Sequence, residues 1–238
     1  MSGTLQVGGI TLGTHNSGTG KVDITNAGTA TVATLNTTSI ASGTLGSSVV
    51  VPASIGSSMV HLKTLTTSAG DTEILLENGV NGVVLDSTYT IHVLHLSGIV
   101  PTTDSKQIYI QVGSSTGYDA GYRGGYSVWY NNGSSVGGSA GSSLNSSYFW
   151  NSQPNALHNA KANAGLTGTF IFHNFASATY AINAYFDTIF YGSNGYFYGM
   201  VGQSTTVNQY VGTRIKFTTN SDSFASGAKI SLYGIKDA

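Results

Sequence analysis

The chain has 238 residues, of which only 8% are charged; its net charge is −1 and it contains no cysteine. Ordinary globular domains carry about 25% charged residues. Here Gly, Ser, Thr and Asn stand in their place, a surface unlike that of a cytosolic enzyme and one that tolerates close packing of identical copies.

Several classes fall away on the same grounds. Disulfides and thiolate metal sites need cysteine. The nine Lys and Arg are spread from Lys21 to Lys236 without a run, so no stripe tracks a phosphate backbone and nucleic acid is not an expected partner. No stretch approaches the roughly 18 consecutive apolar residues of a membrane span, so no membrane insertion is expected. The opening MSGTLQVGGI lacks a basic region followed by an apolar run, so no secretory signal is expected there.

Residues 1–58 contain no Phe, Trp or Tyr, and their only charged residues are Lys21 and Asp23. Short apolar bursts recur among Gly, Ser, Thr and Asn: Ile10-Thr11-Leu12, Lys21-Val22-Asp23-Ile24, Ala30 to Leu35, Ser39-Ile40 and Val49-Val50-Val51. They form a loose repeat of about ten residues. Each burst buries too little area within one chain to offset its own ordering entropy. Two arrangements remain: a thin β stalk in which several copies share one core, or an extended flexible arm. Pro52 marks the approach to a boundary, and the expected division is 1–58 for the stalk or attachment arm and 59–238 for a head domain.

From Met59 the character changes. Met59 to Leu65 and Glu73 to Glu77 read as short strands, the second followed by the turn pairs Asn78-Gly79 and Asn81-Gly82. Tyr89 to Leu96 is apolar on both faces, as a central strand would be. His92 and His95 within it point to opposite faces, so they cannot share a metal ion; one is expected in the core with a hydrogen bond, the other at a subunit contact. Asp71, Glu73 and Glu77 lack any context marking an acid or a nucleophile and read as solvated strand ends. Gln107 to Val112 alternates cleanly.

Residues 113–155 are rich in Gly, Ser, Asn and Tyr, and read as long loops with short strands at Tyr126 to Tyr130 and Tyr148 to Trp150. Gly121 to Gly125 has no phosphate-loop lysine, and Ser-rich runs such as Ser134-Ser135 have no base placed beside them, so no cofactor or catalytic residue is assigned. Rigid amphipathic rings among small polar residues are the composition of recognition loops. Tyr118, Asp119, Tyr122, Arg123, Tyr126, Trp129 and Tyr130 are therefore candidates for binding a glycan: rings for stacking sugars, polar groups for their hydroxyls. The same rings would equally pack a core or a subunit interface, and Tyr126, Val128 and Tyr130 share one strand face.

Asn155 to Ala164 has the composition of a short helix. Strands resume at Thr169 to Asn174, Tyr180 to Phe186, Thr188 to Tyr191 and Tyr196 to Gln203. The end of the chain, RIKFTTNSDSFASGAKISLYGIK over Arg214 to Lys236, reads as two strands joined by a polar turn, with a bulge at Tyr233-Gly234-Ile235. Short strands punctuated at intervals of roughly eight to twelve residues define an all-β, jelly-roll-like β-sandwich.

That final stretch carries a resemblance. Arg214-Ile-Lys-Phe, the loop ending Phe224-Ala-Ser-Gly and the closing Ile230-Ser-Leu-Tyr-Gly-Ile resemble the C-terminal hairpin of bacteriophage virion proteins. Such hairpins are common in tail-fibre and other structural proteins of marine and cyanobacterial phages. The resemblance implies a particle-surface structural protein without catalysis, a homotrimer with an intertwined stem, attachment to other virion proteins through the N-terminal arm, and a head that binds a host-surface glycan. The alternative it leaves open is a capsid decoration or head-fibre protein.

Overall fold

The structure is a computed structural model that describes residues 59–119, 121–141, 147–152, 157 and 165–236, together with three strands among the first 23 residues. The chain divides into two compact units, Met1–Val50 and Val51–Ala238, a boundary somewhat earlier than the one read from composition. In the first unit β1 (Thr4–Val7), β2 (Ile10–Asn16) and β3 (Lys21–Asp23) form an antiparallel sheet in the order β1-β2-β3. The apolar bursts at 30–35, 39–40 and 49–51 lie outside the described residues, as does the helix expected over 155–164 apart from Leu157.

The second unit is a β-sandwich. Its strands are β4 (Val60–Thr66), β5 (Glu73–Glu77), β6 (Ile91–Ile99), β7 (Ile108–Ser114), β8 (Gly117–Tyr118), β9 (Tyr122–Asn131) and β10 (Val136–Gly141). They continue with β11 (Trp150–Asn151), β12 (Leu166–His173), β13 (Asn183–Tyr191), β14 (Phe197–Thr206), β15 (Arg214–Thr219) and β16 (Lys229–Ile235). Eight strands form one antiparallel sheet in the order β10-β9-β14-β13-β12-β6-β16-β4. The other runs β11-β7-β15-β5, with β8 paired to β7. The chain changes sheet at most connections, the crossing habit of a jelly roll.

Period-two alternation produces the core. Leu94, Leu96, Phe170, Phe172 and Met200 of the larger sheet meet Ile108, Ile110, Val112, Ile215 and Phe217 of the smaller, all fully buried. Each such side chain contributes about 1.5–3 kcal/mol of transfer free energy. Trp150 fills the middle, edge-on to Phe170 at 5.6 Å and to Phe186 at 6.3 Å. Strand β6 is interior, between β12 and β16; its inward His92, Leu94 and Leu96 are buried, whereas on the outward face Val93 is buried and His95 and Ser97 are exposed.

Three expectations are corrected. The last two strands are not a hairpin: β15 pairs with β5 and β7 in the smaller sheet, whereas β16 pairs with β4 and β6 in the larger. The segment between them crosses the sandwich, and buried Phe224 bridges to Asp71 and Pro101 on the way. A core side chain in the middle of a polar turn is the signature of that crossing. Second, most of 113–141 is strand rather than loop, because β9 runs ten residues and returns as β10 through Asn132-Gly133-Ser134-Ser135. Third, Tyr180 to Phe186 and Thr188 to Tyr191 are not separate: one strand, Asn183–Tyr191, runs through both.

Two local features follow from backbone chemistry. Gly79 and Gly82 have φ of 78° and 80°, and Asn81 has 52°, so this double turn uses the left-handed conformations that glycine and asparagine tolerate. At the chain end, the register between β16 and β4 shifts between Leu232 and Tyr233, leaving Leu62 unopposed as the bulged residue. Gly234 is required because a methyl group there would overlap the Tyr89 ring.

Candidate functional site

The outward face of the eight-stranded sheet presents side chains that no other described element covers. On β9, β14 and β13 the even-numbered residues Val128, Met200, Tyr198, Phe186 and Phe190 point inward and are buried. Their odd-numbered neighbours therefore point out. Strand pairing arranges these in rows: Arg123–Thr205–Asn183–His173, Gly125–Gln203–Tyr185–Ile171, Ser127–Val201–Asp187–Thr169 and Trp129–Gly199–Ile189–Thr167.

Along the first three rows runs a shallow groove made of two open depressions that share Gly125, Tyr185 and Gln203. At one end it is lined by Arg123, Gly125, Asn183, Tyr185, Gln203 and Thr205 and holds about 460 Å³. At the other, Ser127, Tyr185, Asp187, Val201 and Gln203 surround about 570 Å³. Gly125 makes the gap in the side-chain layer: a methyl group placed there would meet nothing closer than the Gly141 carbonyl at 3.6 Å. From Asn183 to Asp187 the groove extends about 13 Å along the strand.

The rings beside it are held in place. Tyr185 is 57% exposed, with the His173 imidazole set edge-on against it at 6.0 Å. Trp129 is 42% exposed and lies over the backbone of Gly199, where any side chain would collide with the indole. Phe197 is tilted against it at 5.8 Å. The glycines of β10 are explained in the same way: Gly137 and Gly141 leave room for the Tyr130 and Tyr126 rings. The guanidinium of Arg123 is exposed and has no hydrogen-bond or ion-pair partner among the described residues.

The seven residues singled out in the sequence are not one cluster. Arg123 and Trp129 reach the outer face, six residues apart on β9. Tyr126 and Tyr130 point to the other face and pack against the core, Tyr130 stacked on Tyr196 at 5.4 Å. Tyr122 is buried and donates its hydroxyl to the Val112 carbonyl at 2.8 Å; burial pushes its phenol well up. Tyr118 belongs to the smaller sheet, with the Lys216 ammonium 4.0 Å from its ring centre. Asp119 accepts hydrogen bonds from the Gly121 amide at 3.1 Å and the Asn208 side chain at 3.2 Å. Tyr185, Asn183, Gln203 and Thr205 were missed. Their signal was the alternation of β13 and β14, readable once Phe186 and Met200 are recognised as inward.

The histidines of β6 separate as their spacing requires. His95 is exposed and lies 3.4 Å from the Thr169 hydroxyl. His92 is fully buried between Tyr89 and Phe175, but among the described residues neither ring nitrogen has the hydrogen bond expected of it. Burial pushes its imidazole down to about 4, against the opposing influence of the Asp86 charge and the nearby Val84 carbonyl. Among the described residues no three His, Asp or Glu side chains gather as a metal site would require.

Comparison with family models, with curated proteins and with solved structures finds no match.

Proposed function

We propose that this chain is a non-enzymatic bacteriophage virion structural protein of the fibre or spike type. It attaches to the particle through its N-terminal arm, assembles as a homotrimer and binds host-surface glycans with the outer face of its head. The observation that carries the binding role is the groove flanked by exposed Tyr185 and Trp129 and lined by Asn183, Gln203 and Thr205. Sugar rings stack on aromatic faces, and amide and hydroxyl side chains bond their hydroxyls. Among the described residues Asp187 is the one carboxylate lining the groove, where glycoside cleavage would use a pair. The resemblance of Arg214 to Lys236 to virion proteins and the weakly charged surface support the particle location.

One feature favours a second reading, capsid decoration. Val136 on β10, an edge strand of the larger sheet, is 75% exposed, as a contact to a neighbouring shell protein would be. One experiment separates the two. The full-length protein is tested on a glycan array of neutral and acidic sugars, on host cells and on bare capsids. Glycan and cell binding that disappears in Trp129→Ala combined with Tyr185→Ala, with melting unchanged, supports the fibre role. Binding to capsids alone, unaffected by that pair, replaces it with decoration.

A further inference from the structure

The groove is not electrically even, and its asymmetry narrows the ligand. Arg123 stands at one end, its guanidinium without a partner among the described residues, in the same cross-strand row as His173. Tyr185 lies in the adjacent row between them, its ring braced by His173. Among the described residues the one carboxylate lining the groove, Asp187, is on the far side of Tyr185, two residues further along β13. A sugar ring resting on Tyr185 therefore has a cation on one side and amide and hydroxyl groups (Asn183, Gln203 and Thr205) around its edge.

Resting on the glycan-binding reading above, we infer that the ligand is an acidic polysaccharide, with a carboxylated sugar seated on Tyr185 and its carboxylate held by Arg123. A guanidinium presents two parallel N–H donors that match a carboxylate, a geometry that lysine does not reproduce. In a chain with so few charges, an arginine without a partner among the described residues, one strand across from an aromatic platform, has a ligand-shaped role. Asp187 sets the polarity: it repels a second carboxylate, so a neutral sugar occupies its end and acidic residues alternate with neutral ones or lie at the Arg123 end.

The test uses the full-length protein with polygalacturonate, alginate and hyaluronate, each paired with its carboxyl-reduced, neutral form, and binding is measured by calorimetry at two salt concentrations. At least one acidic polymer should bind about tenfold or more tightly than its reduced partner, the scale of a charge-assisted hydrogen-bond pair, and should weaken with salt. Arg123→Gln should abolish the preference, bringing the acidic polymer to the level of the reduced one. Tyr185→Ala should weaken both. Equal binding of acidic and reduced forms, or an Arg123→Gln variant that keeps the preference, overturns the acidic ligand while glycan binding stands. Binding to neutral glycans of the array with none to the three acidic polymers does the same. Failure of every glycan, neutral and acidic, overturns both.

Discussion

Between pH 7 and pH 4 this head should lose about 3 kcal/mol of stability through one side chain, His92. Its imidazole is fully buried, rests between Tyr89 and Phe175 at ring distances of 6.2 and 5.7 Å, and has no hydrogen-bond partner within bonding geometry among the described residues. Burial holds it at about 4 against an ordinary value of 6.5. The unfolded chain thus takes up a proton near 6.5 that the folded chain refuses until about 4. The stability this provides is complete above 6.5, declines as the pH falls towards 4, and is exhausted below. The gap, at roughly 1.4 kcal/mol per pH unit, amounts to about 3 kcal/mol. For a domain of this size that corresponds to a fall in Tm of about 6–12 °C. Asp222 acts in a separate window. Burial would raise its carboxyl, but the Thr102 hydroxyl at 2.6 Å and the Thr103 amide at 2.8 Å outweigh it and bring it down to about 2. Its stabilisation is present above 3.8 and is lost only as the pH falls towards 2. Urea unfolding followed at half-unit steps from pH 7.5 to 4, on wild type, His92→Leu and Asp222→Asn, isolates the histidine. His92→Leu should flatten the profile and Asp222→Asn should not. A wild-type profile already flat between 6.5 and 4, or a His92→Leu profile of unchanged slope, refutes the argument.

Two further substitutions test the packing. Trp150→Ala removes the central ring of the sandwich and should cost about 3–5 kcal/mol in denaturant unfolding; because Trp129 is then the sole tryptophan, the fluorescence of the folded variant should be that of a half-exposed indole. A cost below 1 kcal/mol would mean the site collapses freely and the ring is not central. Gly234→Ala forces the Tyr89 ring off the end of β16 and should cost about 1–3 kcal/mol by thermal melting, and Tyr89→Ala in the same chain should relieve the clash; equal effects in both backgrounds would show that the ring is not the obstacle.

Much of the sandwich was legible because its strands alternate. Ile108 to Val112, Arg214 to Phe217 and Phe170 to Phe172 each announce a buried face by period two, and the structure buries those faces. What alternation cannot report is the partner. Arg214 to Thr219 and Lys229 to Ile235 look like a hairpin because they are adjacent and joined by Asn, Ser and Asp; only Phe224, apolar in the middle of that turn, hints that the chain dives through the core. Strand β10 was invisible for the opposite reason. Val-Gly-Gly-Ser-Ala-Gly has no pattern of its own, and it is a strand because β9 offers Tyr126 and Tyr130 to lie on its glycines.

The same reasoning explains why the candidate site was half seen. Composition drew attention to the ring-rich stretch around Tyr118 to Tyr130, but a strand divides its residues between two faces, so the cluster on paper becomes a core-side set and a solvent-side set in space. The residues that complete the solvent side come from β13 and β14, more than fifty residues later, and each is unremarkable alone. They matter because of where they stand. Side chains on three hydrogen-bonded strands lose little freedom when a ligand arrives, unlike the same residues on loops, and so retain more of their contact energy as affinity. Gly125 opening the floor and Gly199 seating Trp129 belong to that preorganisation as much as the rings do.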